Sequence, residues 1–412
     1  MIRPLLPRCA RALRATSTAA ARRPSHALPA LPALPALPAL PILSASASHA
    51  ARRMYSIQPE AASTAKPVDV DPSKLVIHKT TNPKSLVDPS TLIFGRNFTE
   101  WTQTEGWRTP TIQPYQNLSL DPATCVFHYG FECFEGMKAY KDKAGNVRLF
   151  RPDKNMERFN KSAARIALPT FSPSALIDLI TRFATLEERF IPDQRGYSLY
   201  LRPTMIGTQK TLGVGPPGSA LLFVIASPVG PYYPTGFKAI ALEATDYAVR
   251  AWPGGVGDKK LGANYAPCVL PQLEAASRGF QQNLWLFGPE QYVTEKELIT
   301  HPLDGTILEG VTRDSILSLA RERLAPEGWR ISERKITMAA LAEASAEGRL
   351  MEIFGAGTAA IVSPVRTISW KGKPVDCGLK EHEESGEIAL RMKGWIEAIQ
   401  YGDEEHDWSH VC

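Results

Sequence analysis

The sequence predicts a mixed α/β protein, α+β in at least one of two folded halves, behind an unfolded leader. Three observations predict it. Short β-favouring runs and amphipathic helical stretches intermix without regular strand–helix alternation. A run dense in turn formers, Pro228 to Gly236, separates the halves. Residues 1–55 contain no acidic residue. The 412 residues, 44% hydrophobic and 22% charged, suffice for two or three domains and exclude a disordered chain, a collagen-like fibre and a disulfide scaffold.

The leader accounts for the basic charge. Eight arginines and no Asp, Glu or Lys precede Glu60, so the net charge of +5 becomes −3 for the remainder. A near-neutral body lacks the electrostatic footprint of a nucleic-acid binder. No stretch of apolar residues free of charge and proline is long enough to span a membrane. Arg3, Arg8, Arg11 and Arg14 among Leu and Ala have the composition of a mitochondrial transit peptide. A secretory core is excluded because proline recurs at every third residue from Pro29 to Pro41. Arg53-Met54-Tyr55-Ser56 resembles a mitochondrial processing site, which predicts cleavage near Tyr55 and a matrix location. An unstructured cytosolic tail is the alternative. The six cysteines form no CxxC pair or zinc spacing, so no metal site is expected.

The body is divided into a flexible tail (56–75), a small half (76–228), a linker (229–237) and a large half (238–412). Residues 68–89 read as loop and edge strand. A strand at 147–150 precedes a helix at 152–167 with Met156, Phe159, Ala163 and Ile166 on one face. A second helix at 173–190 turns Leu176, Leu179, Ile180 and Phe183 inward. Strands follow at 197–205, 220–225, 239–243 and 283–287. Helices are expected at 270–279, 312–323, 338–347 and 385–401.

Some motifs are discarded. Gly213 to Gly218 matches GxGxxG, but its two prolines remove donors and a strand follows, where a dinucleotide loop needs a helix. His406 and His410 have helical ligand spacing without a third ligand, and read as a solvated, frayed tail. Glu381 to Glu384 reads as a solvated loop.

Three stretches carry chemistry. In Ala251 to Pro267, four glycines and two prolines surround Lys259 and Lys260. Such crowding suggests backbone close to a ligand. A desolvated lysine beside another cation has a lowered pKa and can bond a carbonyl carbon. An exposed Lys-Lys loop is the alternative. Leu303 to Arg313 runs into an apolar helix, placing N–H groups of Gly310, Val311 and Thr312 at a helix start, an anion site or a plainly capped helix. Phe354 to Ala360 is a small-residue turn able to cradle phosphate or carboxylate.

Together with Phe134-Glu-Gly-Met-Lys-Ala-Tyr140, Arg151 to Arg158, Ser198 to Pro203, Lys260 to Tyr265 and Gly305 to Arg313, these stretches resemble the branched-chain amino-acid aminotransferases. The resemblance runs from about Lys79 to Trp408. It implies the two-domain fold type IV of pyridoxal-phosphate enzymes, like that of D-amino-acid aminotransferase, with the cofactor at the domain interface. It further implies a homodimer that acts on branched-chain amino acids, their 2-oxo acids, and glutamate or 2-oxoglutarate. Lys260 matches the lysine that carries pyridoxal 5'-phosphate covalently and shuttles the substrate proton; Lys259 does not. Tyr265 matches the partner of the cofactor phenolate, and Glu295 that of the pyridine nitrogen. Arg158, Val311 and Thr312 match the phosphate donors. Phe98, Tyr129, Phe134, Tyr200 and Arg202 match the substrate pocket, with Tyr200 and Arg202 taking the second carboxylate of glutamate. Thr358 and Ala359 match donors to the α-carboxylate, and Thr358 also borders the cofactor.

The chain departs from the family in three places. After Glu295 the family continues with a Val-Gly-Thr-Met-Asn segment and a core strand, whereas Lys296 to Pro302 follows here at once. A few residues are also missing between Glu100 and Trp101. Ala360 to Ser363 replaces the CxxC of the mammalian mitochondrial members. The first departure predicts an impaired or non-catalytic homologue. Other fold-type-IV enzymes, D-amino-acid aminotransferase and aminodeoxychorismate lyase, match the long tokens less well.

Overall fold

The structure is a computed structural model and describes residues 68–79, 94–233, 236–286 and 297–412. The leader, the Phe98 side chain and Glu295 lie outside the described residues. The first half begins with β1 (Val76–Ile77), β2 (Phe94–Thr102), β3 (Gly106–Trp107) and β4 (Thr111–Gln113). Helix α1 (Cys125–Tyr129), β5 (Glu132–Phe134), β6 (Met137–Lys141) and β7 (Val147–Phe150) follow. Helices α2 (Pro152–Arg165) and α3 (Pro173–Leu186) then lead into β8 (Ser198–Gly207) and β9 (Ser219–Val229). The second half holds β10 (Ile240–Thr245), α4 (Ala266–Ser277), β11 (Gln282–Trp285), β12 (Glu297–Thr300) and α5 (Val311–Arg323). It continues with β13 (Arg330–Glu333), α6 (Met338–Ala346), β14 (Ile353–Gly357), β15 (Ile361–Trp370) and β16 (Lys373–Asp376). Helix α7 (Glu387–Gln400) and β17 (Ser409–Val411) close the chain.

Ten strands form one sheet in the order β1-β4-β2-β9-β8-β6-β7-β17, with β3 on β2 and β5 on β8. Helices α2 and α3 cover it. Met156 and Phe159 of α2 and Leu176, Leu179, Ile180 and Phe183 of α3 share one core with Met137, Leu149, Leu199 and Leu201 of the sheet. The period-3.6 apolar stripe of each helix meets the period-2 inward face of each strand. Pro173 opens α3 and the Ser172 hydroxyl accepts from Ala175 N–H. The helix stops at Leu186, short of the expected 190. Pro192 holds Ile191 extended, and the chain tightens into a 3₁₀ turn at Glu188–Phe190 before it. Helix α4 begins four residues earlier than expected, because a proline in the first turn costs no hydrogen bond.

A second sheet has the order β11-β10-β15-β14, with β16 also on β15. Helices α5 and α7 pack Ile316, Leu319, Met392 and Ile396 into one cluster, and α6 closes another with Met338 against Ile240, Val365 and Ile368. Strands β12 and β13 form a separate parallel pair. Between β12 and β14 lies a cavity of about 350 Å³, bordered by Leu298, Ile299, Ile316, Leu317, Ile353 and Phe354.

The C-terminal tail corrects an expectation. It is not frayed: β17 pairs with β7, Cys412 N–H donates to the Val147 carbonyl, and His410 bonds Thr181 at 3.1 Å. His406 stacks near Trp408 rather than pairing with His410, and no metal-binding cluster occurs among the described residues.

Candidate active site

Lys260 is anchored by its main chain before its side chain does anything. Its N–H donates to Ser162 Oγ on α2 at 2.9 Å, and its carbonyl accepts from Phe134 N–H at the end of β5 at 3.1 Å. The side chain then lies over the Phe134 ring, Nζ 4.5 Å from its centroid, and donates to Tyr265 Oη at 2.8 Å. Burial lowers the amine to about 8. Glu135 opposes the shift, and the cations Arg158, Arg202 and Arg250 add to it. Burial raises the Tyr265 phenol, against the pull of Arg250 and Arg158. Lys259 points elsewhere and pairs with Asp258. Two adjacent lysines thus occupy different environments.

The glycines of this loop are explained differently from the sequence reading. A Cβ on Gly262 would meet the Glu132 carboxylate at 2.4 Å, and one on Gly257 would meet the Thr306 carbonyl at 2.7 Å. They let protein, not a ligand, approach the backbone.

Arg158 is buried on α2, one turn before Ser162. Its Nε and Nη2 donate to both oxygens of Glu135 at 2.7 Å, and Nη1 donates to the Glu309 carbonyl at 2.9 Å. Glu135 is fully buried and also accepts from Asn155 at 2.8 Å. Such a bidentate pair fixes the guanidinium plane. Arg158 faces the start of α5. Gly310 caps that helix without a side-chain bond, so the N–H groups of Val311, Thr312 and Arg313 lack helical partners. A cavity of about 180 Å³ opens there, bordered by the cations Lys154, Arg158, Lys161 and Arg313, the carboxylates Glu157, Glu309 and Asp314, and the helix start at Gly310 and Val311. Its cations are each paired with a carboxylate, so the feature that suits an anion is the positive end of α5, with Arg158 held facing it.

Arg202 stacks over Phe134 at 4.7 Å and donates to Tyr200 Oη at 2.8 Å. Gly136 gives Tyr200 room, because a Cβ there would meet its hydroxyl at 2.3 Å. Thr358 and Ala359 form the turn between β14 and β15. The Ala359 carbonyl accepts from Lys138 Nζ at 2.8 Å.

The structure therefore brings Lys260, Tyr265, Phe134, Arg158, Arg202 and Tyr200 into one neighbourhood, with Val311 and Thr312 beside Arg158. Tyr129 is not drawn in by a hydrogen bond to this group: its hydroxyl donates to the Leu212 carbonyl. Sequence reasoning missed Glu135, Asn155, Ser162, Lys138 and Arg250. An acid inside the apolar run Phe134 to Ala139 was the available signal for Glu135. The shared helical face of Asn155, Arg158 and Ser162 was the signal for the others on α2.

Residues 132–368 match the family model for amino-transferase class IV. The cytosolic branched-chain-amino-acid aminotransferase of Saccharomyces cerevisiae is 57% identical over 366 residues, covering 83% of this chain and 97% of that protein. The mitochondrial branched-chain-amino-acid aminotransferase of the same yeast is 55% identical over 364 residues, covering 82% and 93%. A solved branched-chain amino acid aminotransferase of Thermobaculum terrenum, described in its PLP holo-form, superposes with a TM-score of 0.58. It is 21% identical and covers 76% of this chain and 97% of that one, a likeness of fold. Since 83% of 412 residues is about 342, roughly two dozen of the 366 positions aligned with the cytosolic yeast protein have no counterpart here.

Proposed function

The chain belongs to the amino-transferase class IV family, and we propose on that premise that it moves an amino group reversibly between leucine, isoleucine or valine and 2-oxoglutarate. It is a transaminase of the branched-chain type. The observation that carries the reading is the partly buried Lys260 amine, lowered to about 8, hydrogen-bonded to Tyr265. The residues fit pyridoxal 5'-phosphate. The free N–H groups at the start of α5, faced by Arg158, suit a phosphate, and Lys260, which has no carboxylate ion pair among the described residues, suits a carbonyl carbon. Arg158 with the N–H groups of Val311 and Thr312 would hold the phosphate, Tyr265 the phenolic oxygen and Lys260 the carbonyl carbon. Glu295 is assigned to the pyridine nitrogen from the resemblance alone. When bound, the cofactor supplies an electron-accepting ring.

The protein groups supply the rest. Lys260 would take the proton from the substrate α-carbon and deliver it to the cofactor's carbonyl carbon, one amine serving both atoms from the same side. Tyr265 holds that amine in place and sets its direction. Phe134 forms an apolar wall, with Tyr129 and Phe98 assigned to it from the resemblance alone; such a wall discriminates by only ~1–3 kcal/mol per methylene. Arg202, aligned by Tyr200, takes the distal carboxylate of glutamate; Thr358 and Ala359 take the α-carboxylate. The test is to supply pyridoxal phosphate and measure amino transfer from leucine, isoleucine, valine and D-alanine to 2-oxoglutarate. Transfer from D-alanine without transfer from the branched L-amino acids would overturn the reading.

One observation favours a second reading, an impaired enzyme. The cavity of about 350 Å³ lies between β12 and β14, which among the described residues pair only with β13 and β15 respectively. A segment of the missing length, inserted after Glu295 and directly before β12, would pair there. Its absence supports weakened turnover in this chain.

The two sheets, each with its own core, support the division into small and large domains joined at 229–237. The apolar outer face of α4, with Val269, Leu270 and Leu273 each more than half exposed, supports a homodimer. Sedimentation of Leu270→Lys as a monomer, against a dimeric parent, would check it. The arginine-rich leader supports import into the mitochondrial matrix with processing near Tyr55. Mass spectrometry of the protein from its native cell tests this, and an intact Met1 on most molecules would sink it.

A further inference from the structure

Lys138 lies in β6, directly opposite Tyr200 of β8, and is 8% exposed. Cross-strand partners project to the same face, so Lys138 shares the side of the sheet that carries Tyr200 and Arg202. Among the described residues, no carboxylate lies within ion-pair distance of its ammonium. Among the described residues its hydrogen bond is to the Ala359 carbonyl at 2.8 Å, 221 residues away in sequence. Burial, opposed by Glu397 of α7, lowers the amine to about 8. A buried cation held by a main-chain carbonyl alone is costly for stability, so a structural role is a poor explanation of it.

The turn it holds is strained. Residues 358–360 connect β14 to β15, and Ile361, the next residue, has φ +62°. A β-branched residue with positive φ persists only where its surroundings enforce it. In a trans peptide the C=O and the following N–H point in opposite directions. The bond from Lys138 therefore fixes the 359–360 peptide plane, with the Ala360 N–H directed away from β6.

We infer that Lys138 is a positioning residue for carboxylate recognition: it holds the turn in the conformation from which Thr358 and Ala359 receive the substrate α-carboxylate. The inference rests on the proposed function for what the turn binds, but not for the brace itself. Lys138 ties the first sheet, which carries the side-chain pocket, to the turn of the second sheet, which carries the carboxylate donors. Loss of the bond lets the turn swing without touching the cofactor cradle at Arg158.

Two variants test it in the full chain loaded with pyridoxal phosphate: Lys138→Met, which fills the space without a donor, and Lys138→Gln, which keeps a donor. Binding of 4-methylvalerate, an unreactive branched carboxylic acid, is read by calorimetry, and hydrogen exchange of the peptide 355–362 is read in the cofactor-free chain. Lys138→Met is expected to weaken the acid roughly 10-fold and to speed exchange by a similar factor, with cofactor affinity unchanged. Lys138→Gln is expected to recover part of both. Acid affinity in Lys138→Met equal to that of the parent overturns the inference, as does a fall in melting temperature in both variants with acid affinity kept. A parent that holds cofactor but no acid overturns it too. A parent that holds no cofactor sinks the proposed function instead, and unchanged exchange at 355–362 then still sinks the brace.

Discussion

The ten-stranded sheet and the five-stranded sheet of this chain are built to different standards of completeness. In the first, β8 is paired along its whole length with β9 on one side and with β6 and β5 on the other. Leu199, Leu201 and Met205 on it are fully buried. In the second, β11 and β14 are edges and every residue of β11 and of the detached β12 is only half-buried. The contrast shows where the chemistry is secure. Lys260 belongs in sequence to the second half, yet its main chain is bonded to β5 and α2 of the first. The cradle proposed for the cofactor is thus tied to the finished sheet, whereas the turn proposed for the carboxylate depends on the unfinished one.

The largest effect is expected on the finished side. Lys260→Ala removes the amine bonded to Tyr265 and is expected to lower turnover at least about 10³-fold, while Lys259→Ala keeps most of it. Borohydride reduction and peptide mapping should place the pyridoxyl mass on Lys260; a label on Lys259 would break the assignment.

On the unfinished side, inserting after Glu295 the segment that the family carries there should fill the β12–β14 gap. Unpaired buried strand groups cost ~1–3 kcal/mol each, so the repaired chain should melt about 5 °C or more higher and turn over leucine faster. Equal melting and equal turnover of the two chains would show that the gap is harmless.

Arg158→Ala should weaken cofactor retention by ~10–100-fold through loss of a charge-assisted contact. It also strands the buried Glu135 carboxylate, at a cost of ~3–5 kcal/mol. The double variant Glu135→Gln, Arg158→Met separates the two: fluorescence titration should still show weak cofactor binding, while melting recovers. Full cofactor affinity in the double variant would place the phosphate elsewhere.

The smallest effect is a pH dependence. The Lys260 amine must be neutral to attack a carbonyl, and its pKa lies at about 8. Capture of pyridoxal phosphate by the cofactor-free chain should therefore rise about tenfold per unit up to that value and level off above it. Stopped-flow absorbance measures it; a rise continuing past pH 10 would assign the free-lysine value. The linked stability has the same sign. Between about 8 and the ordinary 10.5 the unfolded chain binds more protons, so Lys260 makes stability rise with pH there and leaves it flat below.

Particular residues show what was legible beforehand. The helices carrying Met156, Phe159, Leu176 and Phe183 were readable because a 3.6-residue apolar stripe has one way to be buried. Lys260 was separable from Lys259 by family motif, and the structure supplies the physical difference, burial against an ion pair with Asp258. Strands β5 and β6 were not resolved in advance: Phe134 to Tyr140 carries Glu135 and Lys138 inward, which breaks the alternation a half-buried strand normally shows. The tail at 409–411 looked frayed because strand pairing with β7 is invisible 259 residues away.

The sequence by itself determined the main amphipathic helices and the family, since these depend on local periodicity and motif. Only the tertiary structure decided that Glu135 orients Arg158, that Ser162 and Phe134 anchor Lys260, and that Lys138 holds the turn at Ala359. Each of these is a hydrogen bond between groups brought together by sheet register and helix packing, and a register shift of one residue would turn every such side chain to the other face.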